Sequence, residues 1–433
     1  MKRKLIDKLI EWKTSINRQP ILLSGAKGVG KTYLAYDFAK SFFQDVFYLN
    51  FEREPALSNL LQKKSPEQFW LDLYNHFHIV AKNSNVNERI LILDEINYCR
   101  TIQDLTNLYQ DQINFPFIMT IISEPIKDVC FKELAFSKLT LYPMEFDEFL
   151  RATGNEWYIE AISNHYEANK KVPEIVHNEL LALHQLYLQI GGMPGVVNEY
   201  ISLSSPINVA EQQGFLLNSY HQIISKNTME SDALKINQVL ESIPHQLLKE
   251  NKKFQYKLIR KGTTYSMYKE AIEFLEDHNY ILRCHKIPDE YLIQTNLMNS
   301  NPYDLVEDLS PNFKLYLPDI GLLTSQIAEQ KTLDLQNYIS KAVLENYVAQ
   351  VLHTKGYPLW FWDSNSMAKI EFVIRKEDVV IPVELFTNDN TRSKSISILK
   401  QKIDFPYSVK ISSKNFELSN QVKYVPYYAV FCL

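Results

Sequence analysis

Glycine is scarce in this chain, 11 of 433 residues, and six of the eleven fall in two clusters, Gly25, Gly28 and Gly30, then Gly191, Gly192 and Gly195. Glycine used so sparingly marks places where the backbone needs it. The first cluster constrains the fold most. Gly25-Ala26-Lys27-Gly28-Val29-Gly30-Lys31-Thr32 fits G-x-x-x-x-G-K-[ST] and lies between the apolar run ILLS (21–24) and a segment of helical pattern. In such a loop the glycines let successive backbone N–H groups turn inward on phosphate oxygens, and the start of the following helix adds its positive dipole end. The expectation is a nucleotide site holding ATP and Mg2+, with Lys31 bridging the β- and γ-phosphates and the Thr32 hydroxyl on the metal.

A parallel sheet is expected around that loop. ILLS (21–24), VFYLNF (46–51), RILILD (89–94), PFIMTII (116–122) and KLTLY (138–142) are short apolar runs separated by helix-like segments, the mark of strands buried on both faces. A helix over 4–16 precedes them and stops before Pro20. The third run continues into Asp94 and Glu95. Asp94, at a strand's C-terminal end, is placed to hold magnesium through water, and Glu95 to polarise the attacking water.

Past residue 145 the strand signal gives way to apolar residues three and four apart, as in Leu180, Leu183 and Tyr187, closing at GGMPG. Residues 233–286 give helix, turn, helix and a β-like tail, an order that suits a winged helix. From 313 onward FKLYL, a helix at ENYVAQVL, and strands in PLWFWD, AKIEFVIRKE and DVVIPVELF predict a second α/β unit.

Composition bounds the rest. Lys and Arg number 46 against 51 Asp and Glu, a net charge of −5, which excludes a polybasic or disordered chain. Four dispersed cysteines form no C-x-x-C pair, so neither a disulfide framework nor a zinc site is expected. No apolar run approaches ~18 residues, and charges interrupt the N-terminal segment, so a cytoplasmic protein without membrane contact is expected. His76 and His78 in NHFHIV lack the partners of a metal motif and read as a helix-surface pair.

The phosphate loop, LDE, PFIMTIISE, LYPMEFDEF, GGMPGVVNEY, FKLYLPDIGLL, ENYVAQVL, and IPVELF with SKS, in that order, resemble a prokaryotic group of AAA-type ATPases fused to a PD-(D/E)xK nuclease-like domain. The resemblance implies four parts. They are an AAA-like P-loop core (1–152), a helical lid (153–230), a winged-helix-like domain (231–300) and a restriction-endonuclease-like α/β domain (301–433). It implies that Ser123 reads the γ-phosphate and joins Lys31 and Glu95 in catalysis. An arginine expected shortly before LYP is replaced by or near Lys138, leaving Arg100 and Arg151 as candidate arginine fingers or ordinary surface charges. In the tail it implies Glu371 and Glu384 as metal carboxylates with Glu345 as a further ligand. Phe386 stands where a lysine is needed, and Lys394 could fill the vacancy. A retained fold without catalysis is therefore expected there.

Residues 245–286 hold nine Lys or Arg against five Asp or Glu, with Phe254, Tyr256 and Tyr265 interleaved, a pattern able to contact DNA phosphates. Three functions remain open: an ATPase coupled to a DNA-directed C-terminal module, an ATP-dependent switch or scaffold acting on a protein partner, or a binder that hydrolyses ATP very slowly because the usual arginine is missing.

Overall fold

The structure is a computed structural model. It describes residues 1–16, 19–61, 65–78, 86–99, 117–123, 134–203, 206–293, 312–329, 341–364, 368–376 and 379–433. Arg100 lies outside them. The chain divides into two compact units, 1–142 and 143–433.

In the first unit, α1 (Leu5–Thr14) is followed by β1 (Ile21–Ser24), α2 (Lys31–Phe42), β2 (Asp45–Asn50), α3 (Pro66–His76), β3 (Arg89–Asp94), β4 (Ile118–Ile121) and β5 (Ser137–Thr140). The five strands form one sheet in the order β2-β3-β4-β1-β5, and every pairing is parallel. Parallel neighbours need crossovers that cover both faces, which is why these strands read as continuous apolar runs. Phe47, Leu49, Leu91 and Leu93 pack with Phe69, Trp70 and Leu73 of α3. The sheet brings the C-terminal ends of β1, β3 and β4 side by side, where the glycine loop, Asp94, Glu95 and Ser123 all fall.

The second unit begins with helices: α4 (Phe146–Ala152), α5 (Trp157–Ala168), α6 (Glu174–Ile190), α7 (Pro194–Leu203), α8 (Pro206–Asn227) and α9 (Glu230–Leu247). α10 (Tyr265–Asp277), β6 (Leu282–Lys286), α11 (Asp289–Ile293), β7 (Phe313–Tyr316), α12 (Ile320–Glu329) and α13 (Lys341–Thr354) follow. The chain then runs through β8 (Trp360–Asp363), β9 (Lys369–Ile370), β10 (Phe372–Lys376), β11 (Val379–Leu385), α14 (Ser395–Lys400), β12 (Ser408–Ser412), β13 (Glu417–Ser419) and β14 (Val422–Pro426). One sheet is ordered β10-β11-β12-β14-β13 and another β7-β6-β8-β9. β6 pairs antiparallel with β7 and parallel with β8. The β-like tail of the expected winged helix is thus the middle of a sheet that continues past residue 300, so a boundary there would part paired strands.

Two glycines of the second cluster, Gly191 and Gly192, are explained by close packing in this unit, whereas a Cβ on Gly195 would meet nothing within 4 Å. A Cβ on Gly192 would lie 2.0 Å from the Met144 carbonyl oxygen, and one on Gly191 would lie 2.7 Å from Gly321. Met144 N donates to Gly192 O at 2.7 Å, and Gly192 N donates to Asp319 Oδ2 at 2.6 Å. Three motifs distant in sequence, LYPMEF, GGMP and PDIGLL, therefore meet backbone to backbone. Among the described residues no helix is long and apolar enough to cross a membrane.

Candidate functional site

The loop 25–32 leaves β1 and enters α2 through three residues of positive φ, Gly25 at 145°, Gly28 at 90° and Gly30 at 93°. A side chain at Gly25 would meet the Leu141 carbonyl oxygen at 2.2 Å, so this position admits only glycine. Arg3, buried ahead of α1, donates to Val29 O at 2.8 Å and to Tyr142 O at 2.5 Å. Nothing in the sequence pattern points to this brace, because Arg3 reads as one of several N-terminal basic residues.

Lys31 is buried and folds back along its own loop, donating to Gly25 O at 2.9 Å and Ala26 O at 3.0 Å. Burial lowers its pKa from 10.5 to about 8, against the pull of Glu95 and Asp94. Lys27 instead turns to Glu52 at 3.1 Å in a part-exposed pair.

Asp94 ends β3 and is 1% exposed. Its Oδ2 accepts three hydrogen bonds, from Thr32 Oγ1 at 2.9 Å, Tyr48 OH at 2.6 Å and Asn50 Nδ2 at 3.2 Å. Its Oδ1 is buried with no hydrogen-bond partner among the described residues. A buried carboxylate oxygen left without a donor is an acceptor waiting for a cation or its water, so these residues fit the magnesium that a phosphate loop implies. Sequence reasoning missed Tyr48 and Asn50. Both point the same way on β2, two residues apart, and Asn50 is the register partner of Asp94. The β2–β3 pairing, once recognised, names them. Burial and the bond to Asp94 push the Tyr48 hydroxyl up to about 12, so it stays a donor.

Glu95 follows with left-handed backbone, φ 50°, and is 9% exposed. Ser123, just past β4, binds both of its oxygens: the Ser123 hydroxyl donates to Oε1, and Ser123 N donates to Oε2 at 3.3 Å. Burial raises the carboxyl's pKa above its usual range, opposed by Ser123 and Lys31. The structure thus brings together the expected Gly25–Thr32, Asp94, Glu95 and Ser123. Lys138, by contrast, is exposed midway along β5 and not at the strand ends. His76 closes α3 and stacks edge-on against Phe77.

Residues 17–150 match the family described as AAA domain. This region is an AAA-type P-loop ATPase domain. Residues 182–334 and 340–430 match two families described as Domain of unknown function, DUF8612 and DUF4143 respectively. Among solved structures, a Walker-type ATPase of Pyrococcus abyssi aligns at 16% identity over 75% of this chain and 95% of its own, with a TM-score of 0.44. The ORC1 protein of Aeropyrum pernix, in complex with DNA, aligns at 12% identity over 76% and 91%, with a TM-score of 0.27. At those scores neither structure bears on what this chain does. No curated protein matches.

In the second unit the acids expected to hold a metal have other partners. Glu345 on α13 accepts from Lys314 Nζ at 2.6 Å and Tyr316 OH at 2.7 Å, with Lys252 at 3.7 Å. Glu371, at the bend between β9 and β10, pairs with Lys341 at 2.5 Å and accepts from Leu385 N at 3.2 Å. Glu384 on β11 accepts from Ser393 Oγ at 2.5 Å and pairs with Lys410 of β12 at 3.5 Å. Lys394 is exposed; the lysine beside Glu384 is Lys410, whose ammonium also lies 5.3 Å from the Phe386 ring. Among the described residues no group of three or more His, Cys, Asp or Glu is arranged to hold a metal.

The basic stretch 245–286 is likewise partly consumed. Lys252, Lys253, Lys286 and Arg283 are ion-paired to Glu345, Asp363 and Glu276. Phe254 stacks on Phe313 and Tyr256 contacts Tyr268, while Lys257, Arg260, Lys261 and Tyr265 remain exposed.

Proposed function

We propose that this chain binds ATP with Mg2+ at Gly25–Thr32 and Asp94, hydrolyses it with Glu95 as general base, and couples the nucleotide state to a DNA-directed C-terminal module. The AAA-type domain supports the ATPase part. The observation that carries the site assignment is the pairing of an orphaned Asp94 Oδ1 with a lysine held only by loop carbonyls. Neutral carbonyls hold Lys31 weakly enough for phosphate oxygens to displace them, since charge-assisted bonds are roughly twice as strong. Thr32 and Asp94 would hold the metal, which when bound neutralises charge on the phosphates. Tyr48 and Asn50 keep Asp94 anchored when the Thr32 hydroxyl turns away from it.

Glu95 is tied to Ser123 at rest, and Ser123 is also the expected γ-phosphate reader. A γ-phosphate that draws the Ser123 hydroxyl away frees a carboxylate whose pKa burial has already raised, the direction that suits a general base near neutral pH. Exposed Lys257, Arg260 and Lys261 support the DNA reading, and the ion-paired tail acids support a module that does not cleave. A switch acting on a protein partner is the second reading, favoured by how many of the basic residues in 245–286 are spent on internal pairs. ATP turnover with and without duplex or single-stranded DNA tests this. A several-fold stimulation supports the DNA-directed module, and turnover indifferent to DNA supports the protein-directed switch.

A further inference from the structure

The second unit carries a half-open pocket of about 290 Å³. Its walls come from the turn after α9, from β7 and α13, and from β8 through the bend at Glu371. Five lysines line it against four acids.

The distribution of charge matters more than the count. Lys252 and Lys314, largely buried, and Lys341, half-exposed, share two buried carboxylates, Glu345 and Glu371. Three ammonium groups thus face two carboxylates. Burial holds Lys252 below the ordinary lysine range, against the pull of Glu345, whereas Glu345 and Glu371 raise Lys314 and Lys341 above it, so Lys252 is the least well paired of the three. Lys253 is matched by Asp363 at 2.6 Å. Lys369 and Glu250 stand at the exposed rim, where water screens them, and neither makes an ion pair among the described residues.

An ammonium in excess of its partners beside a poorly solvated pocket favours an anion that joins it. Each ammonium carries three N–H donors, and Lys252, Lys314 and Lys341 each meet a single carboxylate, so donors remain on all three. These come from three different elements and converge on one space. An oxyanion with several acceptors satisfies such a set better than a planar carboxylate, and lysine serves phosphate as a point charge. The volume sits at the lower end for ligand cavities, room for a phosphate and a small attached group.

We propose that this pocket binds a phosphate group, either free phosphate or the terminal phosphomonoester of a nucleotide. The proposal stands on the second unit alone and does not rest on the ATPase reading. A divalent metal is the opposing occupant, since it would need the same acids stripped of their lysines.

The test is isothermal titration of the full chain carrying Lys31→Ala, so that the phosphate loop contributes least. Titrants are inorganic phosphate, a 5′-phosphorylated dinucleotide, its 5′-hydroxyl counterpart, and Mn2+. One saturable site for phosphate or the phosphorylated dinucleotide is expected, weakened about tenfold by Lys252→Gln and by Lys369→Glu. Lys369→Glu changes only an exposed rim residue, so it keeps the test informative if Lys252→Gln disturbs folding. A phosphorylated dinucleotide that binds more tightly than phosphate, with the hydroxyl form silent, identifies a nucleotide terminus as the source. Equal affinity for both identifies free phosphate. No saturation by about 10 mM, affinity unchanged in both variants, or Mn2+ binding that Lys252→Gln strengthens would each overturn the proposal.

Discussion

Around Asp94 a buried carboxylate is held by neutral donors alone, two hydroxyls and an amide, whereas around Glu345 a buried carboxylate is held by two ammonium groups and a phenol. The first arrangement puts no ammonium in contact with the carboxylate, Lys31 acting on it only through space, and leaves one oxygen bare. The second neutralises the charge from within the chain. A carboxylate that no ammonium touches has room for an external cation, and one already in contact with a lysine does not. Both regions would look alike in a tally of buried acids, but of the two only the first leaves a buried carboxylate oxygen without a donor among the described residues.

The sharpest way to break this comparison is at the lysine of the first region. Lys31→Ala should remove measurable binding of a fluorescent ATP analogue, while leaving the fold intact by circular dichroism. Binding that persists would take the phosphate loop out of the account. Glu95→Gln should leave that binding in place and lower turnover by roughly 10²–10⁴-fold, the usual worth of a general base. Turnover at the wild-type rate would remove Glu95 from its role.

The second region predicts a stability effect in place of a kinetic one. Lys314→Met leaves the buried Glu345 only Tyr316 and the more distant Lys252, and should cost about 3 kcal/mol in urea unfolding, most of which Glu345→Gln should restore when combined with it. If Lys314→Met is neutral, the internal compensation is not what holds this centre. Tyr48→Phe removes one of three donors on Asp94 and should cost about 1.5–3 kcal/mol in the orientation of that carboxylate. Its readout is a raised Mg2+ concentration for half-maximal nucleotide binding, with binding in excess EDTA unchanged.

The smallest effect expected is in pH dependence. Burial lowers the Lys31 pKa to about 8 in the nucleotide-free protein, and phosphate needs the charged form. Below pH about 8 the ammonium is already present and affinity is flat. Above it, binding must take up a proton, so affinity should fall by up to about tenfold per pH unit. In Lys31→Arg the residue stays charged and that slope should vanish.

Much of the first region was legible. The glycine loop has a fixed spacing because its backbone must curl around phosphates, and the five apolar runs read as parallel strands because both faces are covered. Asp94, Glu95 and Ser123 lie at ends of such strands, where the topology must gather them. Tyr48 and Asn50 escaped notice because their role depends on β2 lying beside β3, a pairing that apolar patterning does not order. Arg3 escaped because a buried side chain reaching two carbonyls leaves no periodic trace.

The tail was harder for a related reason. Acids and lysines were visible in the sequence, yet Lys252, Lys314 and Lys341 come from three elements far apart in the chain, and Lys410 reaches Glu384 from a neighbouring strand. Lys394, nearer in sequence, is exposed. Distance along the chain says little about which ammonium finds which carboxylate.

By itself the sequence determined the local geometry, since positive-φ glycines, apolar strand runs and helix periodicity are set by backbone sterics and burial within short windows. It also determined that a nucleotide loop is present. Only the tertiary structure decided the balance of charge at each carboxylate, because Coulomb interactions in a poorly solvated interior act through space, across elements whose neighbours the chain order does not specify.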